Sequence, residues 1–304
     1  MRPSARMRER RCPMIGVLYE SDEWSDRKLA AEIEAFGAPV RLVNMEDETA
    51  EEEALACEML VSRVFASAQF RGHMASLERM PRVIRAAEER GIPLVNPGRA
   101  HFFEIDKRLA TETLAGAGLV TPAVHACGTP ADLDPQALSY PCVVKPNCGG
   151  RTTCTAIART AEEARAFLAE APAIEFIAEE YVEPAHGFLT RVEVVDGACA
   201  LVVKRSVASN GLSAYRFGST YASYPDVPRA VADAAERASA ALSIELGSFD
   251  VIEGGRGPCI IDANSVSNVS EDCTELLGLD LMRAHAEAIA RRWHALQKPR
   301  PLSS

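Results

Sequence analysis

The most constraining stretch of the chain lies late, between Gly247 and Ser265. Two apolar segments, Gly247-Ser248-Phe249-Asp250-Val251-Ile252-Glu253 and Cys259-Ile260-Ile261-Asp262-Ala263-Asn264-Ser265, flank the turn-forming Gly254-Gly255-Arg256-Gly257-Pro258. This pattern predicts a two-stranded hairpin. Side chains alternate across a strand, so Asp262 and Asn264 share one face, and Asp250 on the paired strand can meet them. Carboxylates in an apolar ribbon are costly unless something positive lies between them, and hard oxygen donors point to magnesium or manganese. An exposed hairpin with merely solvated acids is the alternative reading of the same residues.

With 304 residues the chain can build two or three cores, and its 47% hydrophobic and 25% charged content is that of a globular protein. The formal charge of -10 argues against a general nucleic-acid binder. Nine cysteines, an odd number without a Cys-x-x-Cys pair, point to a reducing cytoplasm and not to a disulfide framework. Cys142, Cys148 and Cys154 are spaced more widely than zinc ligands and have no accompanying histidine, so they read as small buried hydrophobes. No apolar run approaches the length of a membrane span, and a cytoplasmic protein without a membrane partner is expected. Residues 1–13 form an arginine-rich leader expected to be disordered, and 299–304 a frayed tail.

Residues 14–98 alternate strands with helices. Strands are predicted at Met14 to Tyr19, Val40 to Val43, Met59 to Phe65 and Ile92 to Asn96; helices at Asp26 to Phe36, Ala50 to Ala56 and Met80 to Arg90. This is the pattern of a parallel α/β lobe, and it lacks the Gly-x-Gly-x-x-Gly of a dinucleotide site. Arg63, at a strand end, either faces a central cleft and holds a substrate carboxylate or is a plain surface arginine. Asn96-Pro97-Gly98 marks a domain boundary. A helix from Ile105 to Ala117 follows, and Lys107 in its first turn opposes the helix dipole, a mismatch that phosphate binding would resolve. The strand Tyr140 to Pro146 delivers Lys145 at its end, and Gly149-Gly150-Arg151-Thr152-Thr153 is a loop whose amides can approach phosphate oxygens. Further on come a strand at Cys154 to Ala158, a helix at Ala161 to Ala169 capped by Thr160, and an extended run from Ile174 to Val182. A hairpin then turns at Asp196-Gly197, the helix Val227 to Leu242 precedes the acidic hairpin, and Leu279 to Leu296 closes the chain.

Taken together in this order, these segments resemble the ATP-grasp superfamily, in the carboxylate–amine ligase branch that includes the ribosomal-protein glutamate ligases. The likeness covers most of the chain from Met14, and its most specific part is Phe249-Asp250 with Ile261-Asp262-Ala263-Asn264-Ser265, where the family usually has Glu at the position of Asp262. The resemblance implies an α/β (α+β) ATP-grasp architecture: an N-terminal parallel α/β lobe (14–98), a small lid subdomain (99–183) and a mainly antiparallel C-terminal subdomain (184–298) carrying the metal site. It implies nucleotide binding by Lys107 and Lys145, by the lid residues Gly149, Gly150, Arg151, Thr152 and Thr153, and by the adenine segment with Glu179, Glu180, Tyr181 and Val182. Glu183 is the candidate ribose contact, Leu189 standing where relatives often carry an acid, and Lys204 is placed beside the phosphates. Asp250, Asp262 and Asn264 are implied as metal ligands, with Arg191, Arg205 and Arg216 facing the transferred phosphoryl group.

The activity implied is ATP-dependent joining of a carboxylate to an amine through an acyl phosphate, with ATP and magnesium or manganese as cofactors and small-molecule carboxylates and amino acids, glutamate among them, as substrates. Oxide is a poor leaving group, and phosphorylation of the carboxylate replaces it with phosphate; cations must then offset the repulsion between two anions. A non-catalytic ATP-binding regulatory protein and an ATP-dependent carboxylase are the alternatives, and homo-oligomerisation stays open. The first lobe and the loop from Ser206 to Tyr224, with Arg63, Tyr215, Arg216 and Tyr221, are expected to contact the acceptor.

Overall fold

The computed structural model describes residues 12–214, 217–267, 269–271 and 273–298. The predicted leader and tail, together with Tyr215 and Arg216, therefore lie outside or largely outside the described residues. The first lobe contains β1 (Cys12–Tyr19), α1 (Trp24–Ala35), β2 (Val40–Asn44), α2 (Ala50–Leu55), β3 (Cys57–Arg63), a 3-10 turn (Ala66–Phe70), α3 (Met74–Arg90) and β4 (Leu94–Val95). Its four strands pair in parallel in the order β2-β1-β3-β4. The apolar runs of β1 and β3 are buried because helices cover both faces: Ile15, Val17 and Met59 pack on the α1 side, Leu18 and Leu60 on the α2 and α3 side. Gly16 permits this close approach, since a Cβ there would meet Cys57 Sγ and Leu60 at 3.0 Å. α3 starts six residues before the predicted boundary; Pro81 lies inside it, and Gly91 ends it in the left-handed region.

Next come α4 (Arg99–Ile105), which the periodicity does not predict, and α5 (Lys107–Gly116), which matches the helix predicted from Ile105 to Ala117. Asp106 leaves the helical region, at φ -136° and ψ 93°, and its carboxylate accepts from the Leu109 amide, so it caps α5 and sets an elbow before Lys107. The second sheet is antiparallel in the order β5-β8-β6-β7, built from β5 (Val124–Gly128), β6 (Cys142–Pro146), β7 (Ala156–Ala158) and β8 (Phe176–Glu180), with α6 (Ala161–Glu170) between β7 and β8. Thr160 caps α6 by accepting from the Glu163 amide, as the sequence predicts.

The third sheet, also antiparallel, runs β11-β10-β9-β12-β13: β9 (Phe188–Val195), β10 (Ala198–Ser206), β11 (Tyr221–Ser223), β12 (Leu246–Gly254) and β13 (Gly257–Asn264). α7 (Arg229–Leu242) precedes β12, and α8 (Cys273–Leu277) and α9 (Leu281–Leu296) follow β13. Alternation gives this sheet two unlike faces. Val192, Val194, Val202, Phe249 and Val251 pack against α5 and α7, while Arg191, Glu193, Arg205, Ser248 and Asp250 face the other way. α9 returns to the first lobe: Met282, Ile289 and Trp293 share one core with Ile15, Leu29 and Ile33. Among the described residues no helix is long and apolar enough to cross a membrane.

Candidate active site

The polar face of the third sheet forms a floor of alternating charge. Asp250 and Asp262 are cross-strand partners, and Arg191 on β9 is the partner of Asp250 on its other side. Arg191 donates from Nε to Glu193 Oε1 at 2.8 Å, from Nη2 to Ser248 Oγ at 2.5 Å and from Nη1 to Asp250 Oδ1 at 3.5 Å. Arg205 reaches Asp250 Oδ2 at 2.8 Å and the Ser213 carbonyl at 3.2 Å. Burial pulls Arg191 down, but the charges of Asp250 and Glu193 more than offset it, so the guanidinium is held protonated even more firmly than usual.

Two lysines from distant segments close over this floor. Lys107, delivered by the Asp106 elbow, donates to Asp262 Oδ1 at 2.5 Å. Lys145, at the end of β6, donates to the Ile261 carbonyl at 3.0 Å and pairs with Glu179 at 2.5 Å. Burial raises the pKa of Asp262, yet Lys107, Lys145 and Arg191 together bring it below the ordinary carboxylate value. Lys107 likewise pays for burial but is raised overall by Asp262 and Glu104. Asp262, Lys107 and Arg191 are therefore each held in the charged form at neutral pH.

Two residues that the sequence reading did not single out organise this geometry. Glu104 on α4 is buried, and its carboxylate accepts from the Ala66 amide at 3.2 Å and from the Ser265 amide at 2.7 Å and hydroxyl at 3.2 Å. It thereby ties the 3-10 turn, the elbow and the end of β13 together; burial raises its pKa, against Lys107 and its two amide bonds. Asn147 accepts from the Arg108 amide at 2.8 Å and donates to Asp106 at 3.0 Å and Glu175 at 2.7 Å, fixing the α5 elbow to the second sheet. Glu104 carries no local signal. Asn147 stands two residues after Lys145, just beyond the strand end, which was the signal available.

The remaining predicted residues divide. Gly149 and Gly150 lie against the 3-10 turn, where a Cβ would meet Phe70 at 3.0 Å and Ser67 at 3.3 Å. Arg151 and Thr152 adopt φ of 57°, Thr152 donates to the Ser213 carbonyl at 3.3 Å, and the Thr153 amide donates to the Gly150 carbonyl at 3.1 Å. Glu179 faces inward toward Lys145, whereas Glu180 turns out to Arg256 and the Ala123 amide. The Tyr181 amide donates to the Pro141 carbonyl at 3.3 Å; Val182 is half-buried and Glu183 exposed. Lys204 is not brought to the acidic floor: strand alternation turns it to the opposite face from Arg205, over the rings of Tyr224 at 4.0 Å and Phe188 at 4.9 Å. Arg63 is not open to a cleft either. It is 3% exposed, and its three nitrogens are engaged by Asp26 at 2.6 Å, the Ser267 carbonyl at 2.8 Å and Ser25 at 2.8 Å, which makes it a strut between β3 and the segment after β13. Arg216 falls outside the described residues.

For a divalent ion the donor chemistry fits in part. Asn264 keeps a buried amide nitrogen without a partner, and Asp262 is held by Lys107 through Oδ1, so both present polar atoms that a hydrated ion and phosphate oxygens would satisfy. Asp250 differs, with one oxygen on each of two guanidinium groups. No group of three or more His, Cys, Asp or Glu suited to a metal occurs among the described residues, so an ion here would rely on the Asp262 carboxylate, the Asn264 amide oxygen and the nucleotide's own oxygens.

No family model matches the chain. Over 220 residues it is 28% identical to a probable alpha-L-glutamate ligase of Xanthomonas oryzae pv. oryzae, a match spanning 69% of the chain and 74% of the relative. Among solved structures, a RimK domain ATP-grasp protein from Sphaerobacter thermophilus superposes with a TM-score of 0.68 at 18% identity, covering 90% of this chain and 98% of that one. The ATP-grasp ligase PsnB, solved with a minimal precursor, Mg and ADP, gives 0.64 at 16% identity, covering 93% of this chain and 99% of that one. The fold is that of the ATP-grasp proteins. In sequence the chain is similar to probable alpha-L-glutamate ligases, and its fold is shared with ATP-grasp ligases.

Proposed function

We propose that the protein joins the carboxylate of one small molecule to the amine of another, an amino acid such as glutamate, consuming ATP through an acyl phosphate and releasing ADP and phosphate. The observation that carries this reading is the convergence of Lys107, Lys145, Arg191 and Arg205, drawn from four segments, on the Asp250–Asp262 pair. A cluster of this kind matches a triphosphate bound with its counter-ion: phosphate oxygens take over the lysines, and an ion takes over the carboxylate they release. Lys107 and Lys145 hold the nucleotide phosphates. The backbone of Gly149 to Thr153 lies over them, Glu179, Tyr181 and Val182 line the adenine, and Glu183 reaches the ribose. Arg191 and Arg205 face the transferred phosphoryl group, Arg191 oriented by Glu193 and Ser248. Asp262 and Asn264, with Asp250 behind its arginines, hold magnesium or manganese, which when bound neutralises phosphate charge and steadies the leaving oxygen. In this scheme residues 99–183 close as a lid over the floor supplied by 184–298, and exclude water from the acyl phosphate.

Asp262→Asn tests the assignment, because it removes ligand charge while keeping size and one acceptor. ADP release in the presence of an amino acid and a candidate carboxylate is expected to fall at least about a hundredfold with the melting temperature little changed. Full activity in the variant would sink the reading, and ADP release that needs bicarbonate in place of an amine would redirect it to carboxylation.

A further inference from the structure

A second charged cluster joins the lid loop to the first lobe, and the phosphate chemistry does not use it. Glu23, in the β1–α1 loop, accepts at Oε1 from Arg71 Nη1 at 3.0 Å and also from Arg151 Nη2. The two guanidinium groups come from different lobes, one just after the 3-10 turn and one from the lid. Arg71 is firmly seated: it donates to Ser21 Oγ at 2.7 Å and to Glu20, whose side chain is fully buried, and its guanidinium lies over Phe65 at 5.8 Å. Its Nε is buried without a partner among the described residues. The cluster adjoins the proposed phosphoryl site, since Thr152, next to Arg151, donates to the Ser213 carbonyl that also receives Arg205.

The two acids play different parts. Glu20 is enclosed and takes the Phe65 amide as well, so it belongs to the scaffold. Glu23 has a side chain 22% exposed and reaches the arginines from the rim. We propose that Arg71 and Arg151 are the receptor for a carboxylate of an acidic amino-acid substrate, and that Glu23 occupies this receptor as an internal stand-in until the substrate displaces it. Converging guanidinium groups bind carboxylates through charge-assisted bonds, and exchange of one carboxylate for another leaves both arginines paired. Because Arg151 rides on the lid, the receptor is complete only when the lid is down, which couples substrate binding to exclusion of water. Occupancy by Glu23 lowers the apparent affinity for the competing carboxylate. The inference rests on the ligase reading and specifies its amine substrate as anionic.

The test is calorimetric titration of the full chain, with magnesium and a non-hydrolysable ATP analogue bound, using L-glutamate as probe and neutral L-glutamine as control. Glu23→Gln is expected to tighten L-glutamate binding by about three- to tenfold, and Arg151→Gln to weaken it by about tenfold or more. Neither variant should move L-glutamine, and Glu23→Gln should shift analogue affinity by no more than about twofold. If Glu23→Gln weakens both L-glutamate and analogue, the contact is a lid latch and the receptor is overturned. Equal L-glutamate affinity in all three proteins, or no L-glutamate binding to the nucleotide-bound wild type, overturns it too. Failure of the wild type to bind the analogue at all would instead remove the ligase reading beneath it.

Discussion

A lysine in the first turn of a helix works against the dipole, and Lys107 is held there by the Asp262 carboxylate 155 residues further along. Residues of this kind were legible because they break a local rule: an ammonium at a helix start, a lysine closing a buried strand, acids inside an apolar ribbon. Lys204 was expected beside the phosphates together with Arg205, yet adjacent strand residues cannot both face the floor, and Arg205 is the one that does. Glu104 was not legible, because nothing in its helix distinguishes it from a solvated glutamate until Ala66 and Ser265 arrive. Replacing Lys145 with Ala is expected to weaken binding of an ATP analogue by about ten- to a hundredfold, the loss of one charge-assisted bond. It also leaves Glu179 buried and unpaired, lowering stability by about 3 kcal/mol. Calorimetry and thermal melting measure the two effects, and unchanged nucleotide affinity rules the role out.

Element by element, the strands that keep a clean alternation were found close to their observed ends, and the hairpin of β12 and β13 was placed within one or two residues. Elements whose cause is tertiary were missed. The 3-10 turn at Ala66–Phe70 has no periodicity to betray it, the three-residue β11 exists because β10 offers an edge, and α4 is set off from the predicted α5 by Asp106 meeting both Leu109 and Asn147. Gly247 shows what the hairpin requires of its sequence. A Cβ there would lie 2.3 Å from the Asn264 carbonyl and 2.5 Å from Ile244, a backbone collision that no rotamer relieves. Gly247→Ala should therefore push β12 off β13 at the Asn264 end and cost about 2–3 kcal/mol, lowering the melting temperature by about 5 °C or more. ATP turnover should fall further than the stability loss explains, measured well below the melting transition.

Across the whole molecule, two histidines report how completely the lobes are closed on one another. His101 is 4% exposed with neither ring nitrogen partnered, and burial depresses its pKa to about 4; burial, then the charge of Arg63, depresses His285 to about 3. As pH falls below about 6.5 the unfolded chain takes up these protons while the native state refuses them, so stability is lost on the acid side. His101→Leu should remove its share. Relative to wild type the variant should gain with falling pH, by about 3 kcal/mol at pH 4, in urea midpoints taken from pH 7 to pH 4. A constant difference between the two proteins across that range would show that His101 is not held neutral.

What the amino-acid order determined by itself was local: which segments extend or coil, where chains turn, and which polar residues sit where an isolated element would not tolerate them. Those follow from periodicity, backbone torsion and desolvation, which act over a few residues. Only the tertiary structure decided the partners. It made Arg63 a strut to Ser267, sent α9 back into the first lobe's core, and brought Lys107 to Asp262 and Arg151 to Glu23. A charge at one position is satisfied by any opposite charge within reach, and reach is set by how three sheets pack, a property that no local pattern carries.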